Sequence, residues 1–236
     1  LQPLKAMDYK QATTYMQLVN DDICALPEFT GVAVRLGKPV PEIIIGTLYD
    51  DRQVDEEVRE YCRIAKVLHS LKNAKLGHIG HPLNSMMDMN TDPTMLTAFF
   101  GSHVISYEPN ELLQQMENVS DREVKEKEAC ILDFFDTPDP VSDPISMKLR
   151  DEDLKVAAKV SLALDKFVES NGLNGLAYYY DGADNSSIRQ LMSNLIVGNS
   201  LLTARHIPMC GESDLKTLVA LMIMDRLGIG GSFAEF

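Results

Sequence analysis

Residues 175–236 read GLAYYYDGADNSSIRQLMSNLIVGNSLLTARHIPMCGESDLKTLVALMIMDRLGIGGSFAEF. Apolar runs typical of buried strands occupy 175–181, 206–211 and 231–236, and amphipathic stretches typical of helices occupy 187–202 and 214–227. Strands that alternate with helices in this way build βαβ units, in which the strands are parallel. The segment therefore predicts an α/β fold with an open parallel sheet and flanking helices, a Rossmann-like three-layer sandwich.

The upstream sequence continues the same alternation. It predicts strands at 74–80 and 103–108 and helices at 51–71, 120–135 and about 151–169. Local signals for helix ends are a cap at Thr91 or Asp92 before Pro93, a capping box of Ser120 and Glu123, a stop at Asn171-Gly172, and Ser213 as the cap of the helix at 214–227.

Composition excludes several classes of protein. The 236 residues carry 22 Lys and Arg against 35 Asp and Glu, a net charge of -13. A sequence-independent nucleic-acid binder needs a basic surface, and docking on anionic lipid needs polybasic segments. No apolar run approaches the roughly 20 residues that span a bilayer. The four scattered cysteines are typical of free thiols in a reducing compartment. We expect a cytoplasmic protein without nucleic-acid or membrane partners.

Two carboxylates stand at matching places in the pattern. Glu212 follows the strand at 206–211, and Glu235 follows the start of the strand at 231–236. One helix separates them, so both are expected at the C-terminal ends of neighbouring parallel strands, about 4.8 Å apart laterally. Open α/β sheets bind ligands at that edge, and two carboxylates there can hold a divalent ion or divide into an acid and a base. On spacing alone, two solvated glutamates are the more common explanation.

The segment GESDLKTLVALMIMDRLGIGGSFAEF, residues 211–236, resembles the metal-site segment of the L-arabinose and L-fucose isomerase superfamily, and arabinose isomerases most closely. Arabinose isomerases carry a Gly-Glu-Gly-Asp-Trp-Lys-Thr run, a helix, and then Gly-Gly-Thr-Ser-Phe-Met-Glu. The matching residues are Gly211, Glu212, Asp214, Lys216, Thr217, Gly230, Gly231, Ser232, Phe233 and Glu235. The resemblance implies that Glu212 and Glu235 are both the ligands of Mn²⁺, or another divalent cation, and the proton-transfer pair. It also implies that Phe233 lines a sugar pocket.

Weaker matches precede that segment. Tyr180 corresponds to an aromatic residue of the sugar pocket, and Leu83 falls where arabinose isomerases place a substrate-facing Met; a core aromatic and a core leucine are the alternatives. At 20–25 the chain departs from the family's Asn-Gln-Thr-Ala-His. The resemblance places the family's two metal-binding histidines beyond Phe236. The pair His78 and His81 has a spacing that metal sites use, but lacks accompanying ligands, so we expect no metal there.

The resemblance also implies a domain organisation. Residues 1–71 would be the tail of an N-terminal α/β domain, 72–229 a central α/β domain, and 230–236 the start of a C-terminal domain. Because the chain begins at Leu1 and stops within an apolar segment, we expect it to be a piece of a longer polypeptide. The family implies a homo-oligomer at full length.

The sequence thus predicts a metal-dependent aldose–ketose isomerase that acts on a small sugar through an ene-diol. We expect the chain by itself to have little or no activity. Two alternatives remain open: a glycoside hydrolase that uses the paired carboxylates, and a non-catalytic sugar-binding or interaction domain.

Overall fold

A parallel sheet forms the centre of the fold. The computed structural model describes residues 8–137, 141–142 and 149–234, except the side chains of Asp22 and Ile23. Within these residues the sheet has four strands, β1 (Lys75–Gly80), β2 (His103–Tyr107), β3 (Gly175–Tyr179) and β4 (Met209–Cys210). Their order is β2-β1-β3-β4 and every pairing is parallel. The predicted α/β, Rossmann-like class is confirmed.

Helices connect and cover the strands. In the described ranges they are α1 (Thr14–Val19), α2 (Asp22–Arg35), α3 (Arg52–Lys72), α4 (Pro93–Phe100), α5 (Pro109–Glu117), α6 (Asp121–Phe134), α7 (Asp151–Asn171), α8 (Ser187–Met192), α9 (Ile196–Ala204) and α10 (Leu215–Arg226). None of these helices is long and apolar enough to cross a membrane.

The two faces of the sheet bury different helices because successive strand residues point to opposite sides. Leu176 of β3 belongs to a core cluster supplied by α5, α7, α8 and α9, with Phe167 of α7 at 1% exposure. Its neighbour Ala177 belongs to a second cluster, supplied by α4, α10 and the end of α3. These clusters form the outer two layers of the sandwich on either side of the strands.

The chain divides into two compact units, one ending at Ala65 and the other starting at Lys66, and α3 runs across the division. The first unit contains α1 and α2 and exposes many apolar side chains; Phe29 is 73% and Ile45 84% exposed. The second unit contains the whole sheet. The predicted domains 1–71, 72–229 and 230–236 stay a prediction.

The local signals for helix ends are confirmed at three places. The Asp92 carboxylate accepts the N–H of Thr94 at 2.8 Å, which makes Asp92 the cap of α4. Ser120 and Glu123 form the predicted capping box of α6. Gly172 ends α7 with a φ of 61°, the left-handed conformation that glycine adopts at helix ends.

Two predicted elements differ from the structure. The single helix predicted at 187–202 is wrong: α8 and α9 replace it, because Ser193 and Asn194 at the break donate side-chain hydrogen bonds to carbonyls of the preceding turn. The strand predicted at 206–211 is reduced to β4. His206 has a φ of 64°, incompatible with a strand, and Pro208 has no N–H for a sheet ladder. Residues 231–234 form no strand, and 235–236 lie outside the described residues.

The capping box of α6 makes the stability of the protein depend on pH. The Lys166 ammonium, 2.8 Å away, and the bonds from Ser120 hold the pKa of Glu123 well below its usual range, at about 2. A depressed folded-state pKa adds stability above the ordinary glutamate pKa, and that stability is lost as the pH falls towards about 2. We expect the stability difference between the wild-type protein and Glu123→Gln to shrink between pH about 5 and about 3 in urea titrations. Glu128→Gln, on the same helix, is the control; a difference for Glu123→Gln that stays constant with pH would contradict the prediction.

Candidate functional site

The C-terminal edge of the sheet gathers the ends of β1, β3 and β4. Since the strands are parallel, Gly80, Tyr179 and Cys210 end them on the same side. Ligands of open α/β sheets bind at this edge. Glu212 lies two residues beyond β4 and is partly buried there. Glu212 therefore lies just beyond the C-terminal edge of the sheet.

Glu212 lies in a strained turn that is fastened to two other strands. Glu212 and Ser213 both have positive φ, 54° and 55°, a conformation that costs on the order of 1 kcal/mol or more for each non-glycine residue. The Ser213 N–H donates to the carbonyl of Tyr178 at 3.2 Å, and its hydroxyl donates to the carbonyl of Ile79 at 3.4 Å. Ser213 is only 1% exposed. The turn therefore reaches across the end of β3 to β1 and holds Glu212 in one place.

Asp214 begins the next helix. Its carboxylate accepts the N–H groups of Lys216 and Thr217 at 2.9 and 3.2 Å, and the Thr217 hydroxyl at 2.6 Å. Asp214 is thus the N-cap of α10, and the prediction that Ser213 caps this helix is wrong, because Ser213 is buried against β1 and β3 instead. The Asp214 carboxylate thus bonds to the first turn of α10.

Residues 81–92 form a loop that leads from the C-terminal end of β1 to α4 and contains a short 3₁₀ helix at Met87–Met89. The Lys216 ammonium, on the first turn of α10, donates to the carbonyl of Asp88 in this loop. Leu83 lies in the loop and is partly buried. The contact between Lys216 and Asp88 ties the loop to the helix that follows Glu212.

Phe233 and Tyr180, the predicted aromatic residues of the pocket, lie near this edge. The Phe233 ring covers Gly211, where an added Cβ would lie 2.6 Å from its Cε1 atom. The Tyr180 ring covers Gly182 and packs against the core cluster of α5, α7 and α8. Glu235 lies outside the described residues. The structure thus places Phe233 against Gly211, the residue before Glu212, and the roles of all five predicted residues stay predictions.

The two histidines near the edge differ in their surroundings. His81 is exposed, its Nδ1 atom lies 2.9 Å from the carbonyl of Pro82, and its ring meets Tyr179 edge to face at 6.2 Å between centroids. His78 lies in β1 and is partly buried; this burial, together with the charge of His81, lowers the pKa of His78. Sequence reasoning considered these residues only as a metal pair. In the part of the chain that the structure describes, no group of three metal-ligating side chains occurs.

A cavity of about 440 Å³ opens beside Pro208, just before β4, and Glu212 is not among its lining residues. It lies between α9 and α10, and Phe233 is among its lining residues. His206 lines it too, with its Nδ1 atom 2.7 Å from a carboxylate oxygen of Asp225. The cavity thus lies near β4, the edge strand of the sheet, whereas Glu212 follows the C-terminal end of this strand.

Similar proteins share one name, L-arabinose isomerase. The relative from a Nocardioides species is 24% identical over 212 residues, covering 88% of this chain and 40% of the relative. Those from Flavobacterium johnsoniae and Vibrio parahaemolyticus are 22% and 23% identical, each covering 86% of this chain and 38% or 39% of the relative. No family model matches. The resemblance to arabinose isomerases is confirmed, and the chain spans about 40% of the length of the curated relatives it matches.

Proposed function

We propose that the complete protein is a metal-dependent aldose–ketose isomerase of the arabinose and fucose isomerase type. The observation that carries this proposal is the position of Glu212, fixed in a strained turn at the ligand-binding edge of the sheet. The similarity to L-arabinose isomerases over 86–88% of the chain supports it. The substrate is a small sugar, and the full-length protein is a homo-oligomer.

The proposed chemistry moves a proton between C1 and C2 of the sugar. One glutamate of the pair Glu212 and Glu235 removes the proton from C2 and returns it to C1. The other moves the proton between O2 and O1, so that an ene-diol connects the aldose and the ketose. The turn holds Glu212 still, which favours this chemistry because a proton-transfer group must stay within hydrogen-bond reach of the reacting atom.

Mn²⁺, or another divalent cation, is the cofactor of this proposal. Carboxylate oxygens suit such a hard ion, so the chemistry of Glu212 and Glu235 fits it. The number of ligands does not fit the ion, because the described residues contain no group of three His, Cys, Asp or Glu side chains that could hold a metal. When bound, the ion would act as a Lewis acid on the sugar oxygens. For the same reason we expect the 236-residue chain to show little or no turnover by itself.

Ketose formation from a panel of aldopentoses and 6-deoxyhexoses tests the proposal. The protein expressed from its complete reading frame is assayed with Mn²⁺ and with EDTA, beside the 236-residue chain. We expect turnover of at least one aldose that EDTA abolishes and Mn²⁺ restores. Absence of turnover on every aldose, or turnover that EDTA leaves unchanged, would refute it. Cleavage of aryl glycosides in the presence of EDTA would instead support a glycoside hydrolase.

A further inference from the structure

The cavity of about 440 Å³ between α9 and α10 has the size of a small-molecule site, a range of about 300–1,000 Å³. It lies wholly in the unit that contains the sheet. Its walls come from α9, residues 206–208, α10 and residues 230–233. Glu212 does not line it, so the proposed isomerase chemistry leaves this cavity without a role. What it can bind depends on the hydrogen-bonding groups of its walls.

His206 lines the cavity in a fixed orientation. Its Nδ1 atom lies 2.7 Å from one oxygen of the Asp225 carboxylate, whose other oxygen accepts from Arg226. Arg226 also donates to the carbonyl of His206 at 3.1 Å, which holds the backbone at its unusual φ of 64°. Because Nδ1–H donates to the carboxylate, the neutral ring offers Nε2 as a hydrogen-bond acceptor. The side chain is 78% exposed, so a ligand can reach this nitrogen.

The face of α9 that lines the cavity also offers acceptors. The Ser200 hydroxyl donates to the carbonyl of Ile196 at 3.1 Å, and the Thr203 hydroxyl donates to Oδ1 of Asn199 at 3.4 Å. A hydroxyl group has one donor and two acceptor positions, so both oxygens keep lone pairs for a ligand. Asn199 is only 6% exposed, and its amide donates to the Tyr178 hydroxyl at 2.8 Å. These bonds fix the α9 wall before any ligand binds.

The segment 230–233 supplies donors to the same cavity. The backbone N–H groups of Gly231 and Ser232 form no hydrogen bond with the rest of the chain as far as the structure describes it. A ligand group that meets both walls must therefore donate towards α9 and His206 and accept from residues 231–232. A hydroxyl group does both.

The charges of the lining residues favour a neutral ligand. Among the described residues that line the cavity there is no Lys or Arg, so a phosphate or carboxylate would lack the cation that usually pairs with it. The Asp225 carboxylate has both oxygens bonded, to His206 and Arg226, which leaves it poorly placed to bind an amine or a metal ion. Leu221 and Phe233 add apolar surface for C–H groups. A neutral molecule rich in hydroxyl groups on a carbon chain matches all of these features.

We propose that this cavity is a binding site for a neutral polyol or sugar. The Nε2 atom of His206 and the hydroxyl oxygens of Ser200 and Thr203 accept its O–H groups, and the backbone N–H groups of residues 231–232 donate to its oxygens. The site goes beyond the proposed isomerase function, because it needs neither Glu212 nor a metal ion.

Calorimetric titration with L-arabinitol tests the site in the protein from the complete reading frame. The protein carries Glu212→Gln and the buffer contains EDTA, so that the proposed isomerase site is disabled. We expect saturable binding of one molecule per chain. Pentane-1,5-diol, which lacks the three inner hydroxyl groups, and L-arabinonate, which carries a carboxylate, should bind at least tenfold more weakly, as the loss of several hydrogen bonds implies. Equal affinity for either of these two compounds would overturn the inference.

Substitutions in the same Glu212→Gln background locate the bound polyol. We expect the Kd for L-arabinitol to rise about threefold to tenfold for Ser200→Ala and for His206→Phe, each of which removes one acceptor. His206→Gln keeps an acceptor in the side chain and should recover much of the loss. Ser170→Ala is the matched control, because Ser170 on α7 donates to the carbonyl of Phe167 and does not line the cavity.

The Kd of the variants decides the inference even if one of them folds poorly. The unfolding midpoint of each variant is measured, and Ser200→Ala alone suffices if His206→Phe is unfolded. A Kd that Ser200→Ala and every folded His206 variant leave unchanged, or an equal rise in Ser170→Ala, would overturn the proposed site.

The outcome is distinguishable from that of the isomerase assay. If L-arabinitol binds as expected but no aldose is converted, the cavity site stands and the isomerase proposal fails. If an aldose is converted but L-arabinitol does not bind to the Glu212→Gln protein in EDTA, the isomerase stands and this inference is wrong.

Discussion

Replacing Glu212 by Gln is expected to lower the kcat of the complete protein about a thousandfold or more. The amide has the shape of the carboxylate but cannot accept a proton at neutral pH, and it is a weaker ligand for a hard cation. Because Gln keeps the size of Glu and the bonds of Ser213 to β1 and β3 are untouched, the turn should keep its conformation. The circular dichroism spectrum and the unfolding midpoint should match those of the wild-type protein.

Two comparisons make the Glu212→Gln result specific. Glu169→Gln makes the same chemical change at an exposed position near the end of α7, at the opposite edge of the sheet, and should leave kcat unchanged. A titration with Mn²⁺ then separates two roles of Glu212. If high Mn²⁺ restores the kcat of Glu212→Gln, this carboxylate only holds the metal, and its proposed part in proton transfer is wrong. If Glu212→Gln has the kcat of the wild-type protein without added metal, both roles of Glu212 are refuted.

The fold was predictable because its main determinants are local. The strands predicted at 74–80, 103–108 and 175–181 are present, and only the one at 206–211 is shortened and the one at 231–236 absent over its described residues 231–234. Short apolar runs between helical stretches favour parallel pairing, which requires no information from distant residues. Helix ends at Asp92, Ser120 and Gly172 were predictable for the same reason, because a cap depends on one side chain or one φ angle. The break between α8 and α9 was not, since Ser193 and Asn194 occur within many unbroken helices.

The site was predictable only in part. The place of Glu212 at the C-terminal end of a parallel strand follows from the alternation of strands and helices. The contacts of Ser213 with Tyr178 and Ile79 depend on the register of β1 against β3, which no local pattern specifies.

Replacing Gly80 by Ala is expected to destabilise the chain by at least ~2 kcal/mol. Gly80 ends β1 with a φ of 80°, and a Cβ there would lie 1.8 Å from the carbonyl oxygen of Tyr179 on β3. That oxygen also accepts the N–H of His81 at 3.3 Å, so the strand cannot move away without losing this bond. Urea denaturation followed by far-UV circular dichroism measures the loss of stability.

Gly172→Ala separates the two costs of Gly80→Ala, which are the strain of a positive φ and the clash of the added Cβ with β3. Gly172 also has a positive φ, 61°, but nothing lies within 4 Å of an added Cβ. Its substitution should therefore cost only the conformational strain, about 1–2 kcal/mol. The excess for Gly80→Ala measures the close approach of β1 to β3, the same approach that lets Ser213 bond to both strands and fix Glu212. An equal loss of stability for the two substitutions would mean that β1 can shift away from β3 at Gly80. The turn that carries Glu212 would then not be held rigidly by these strands.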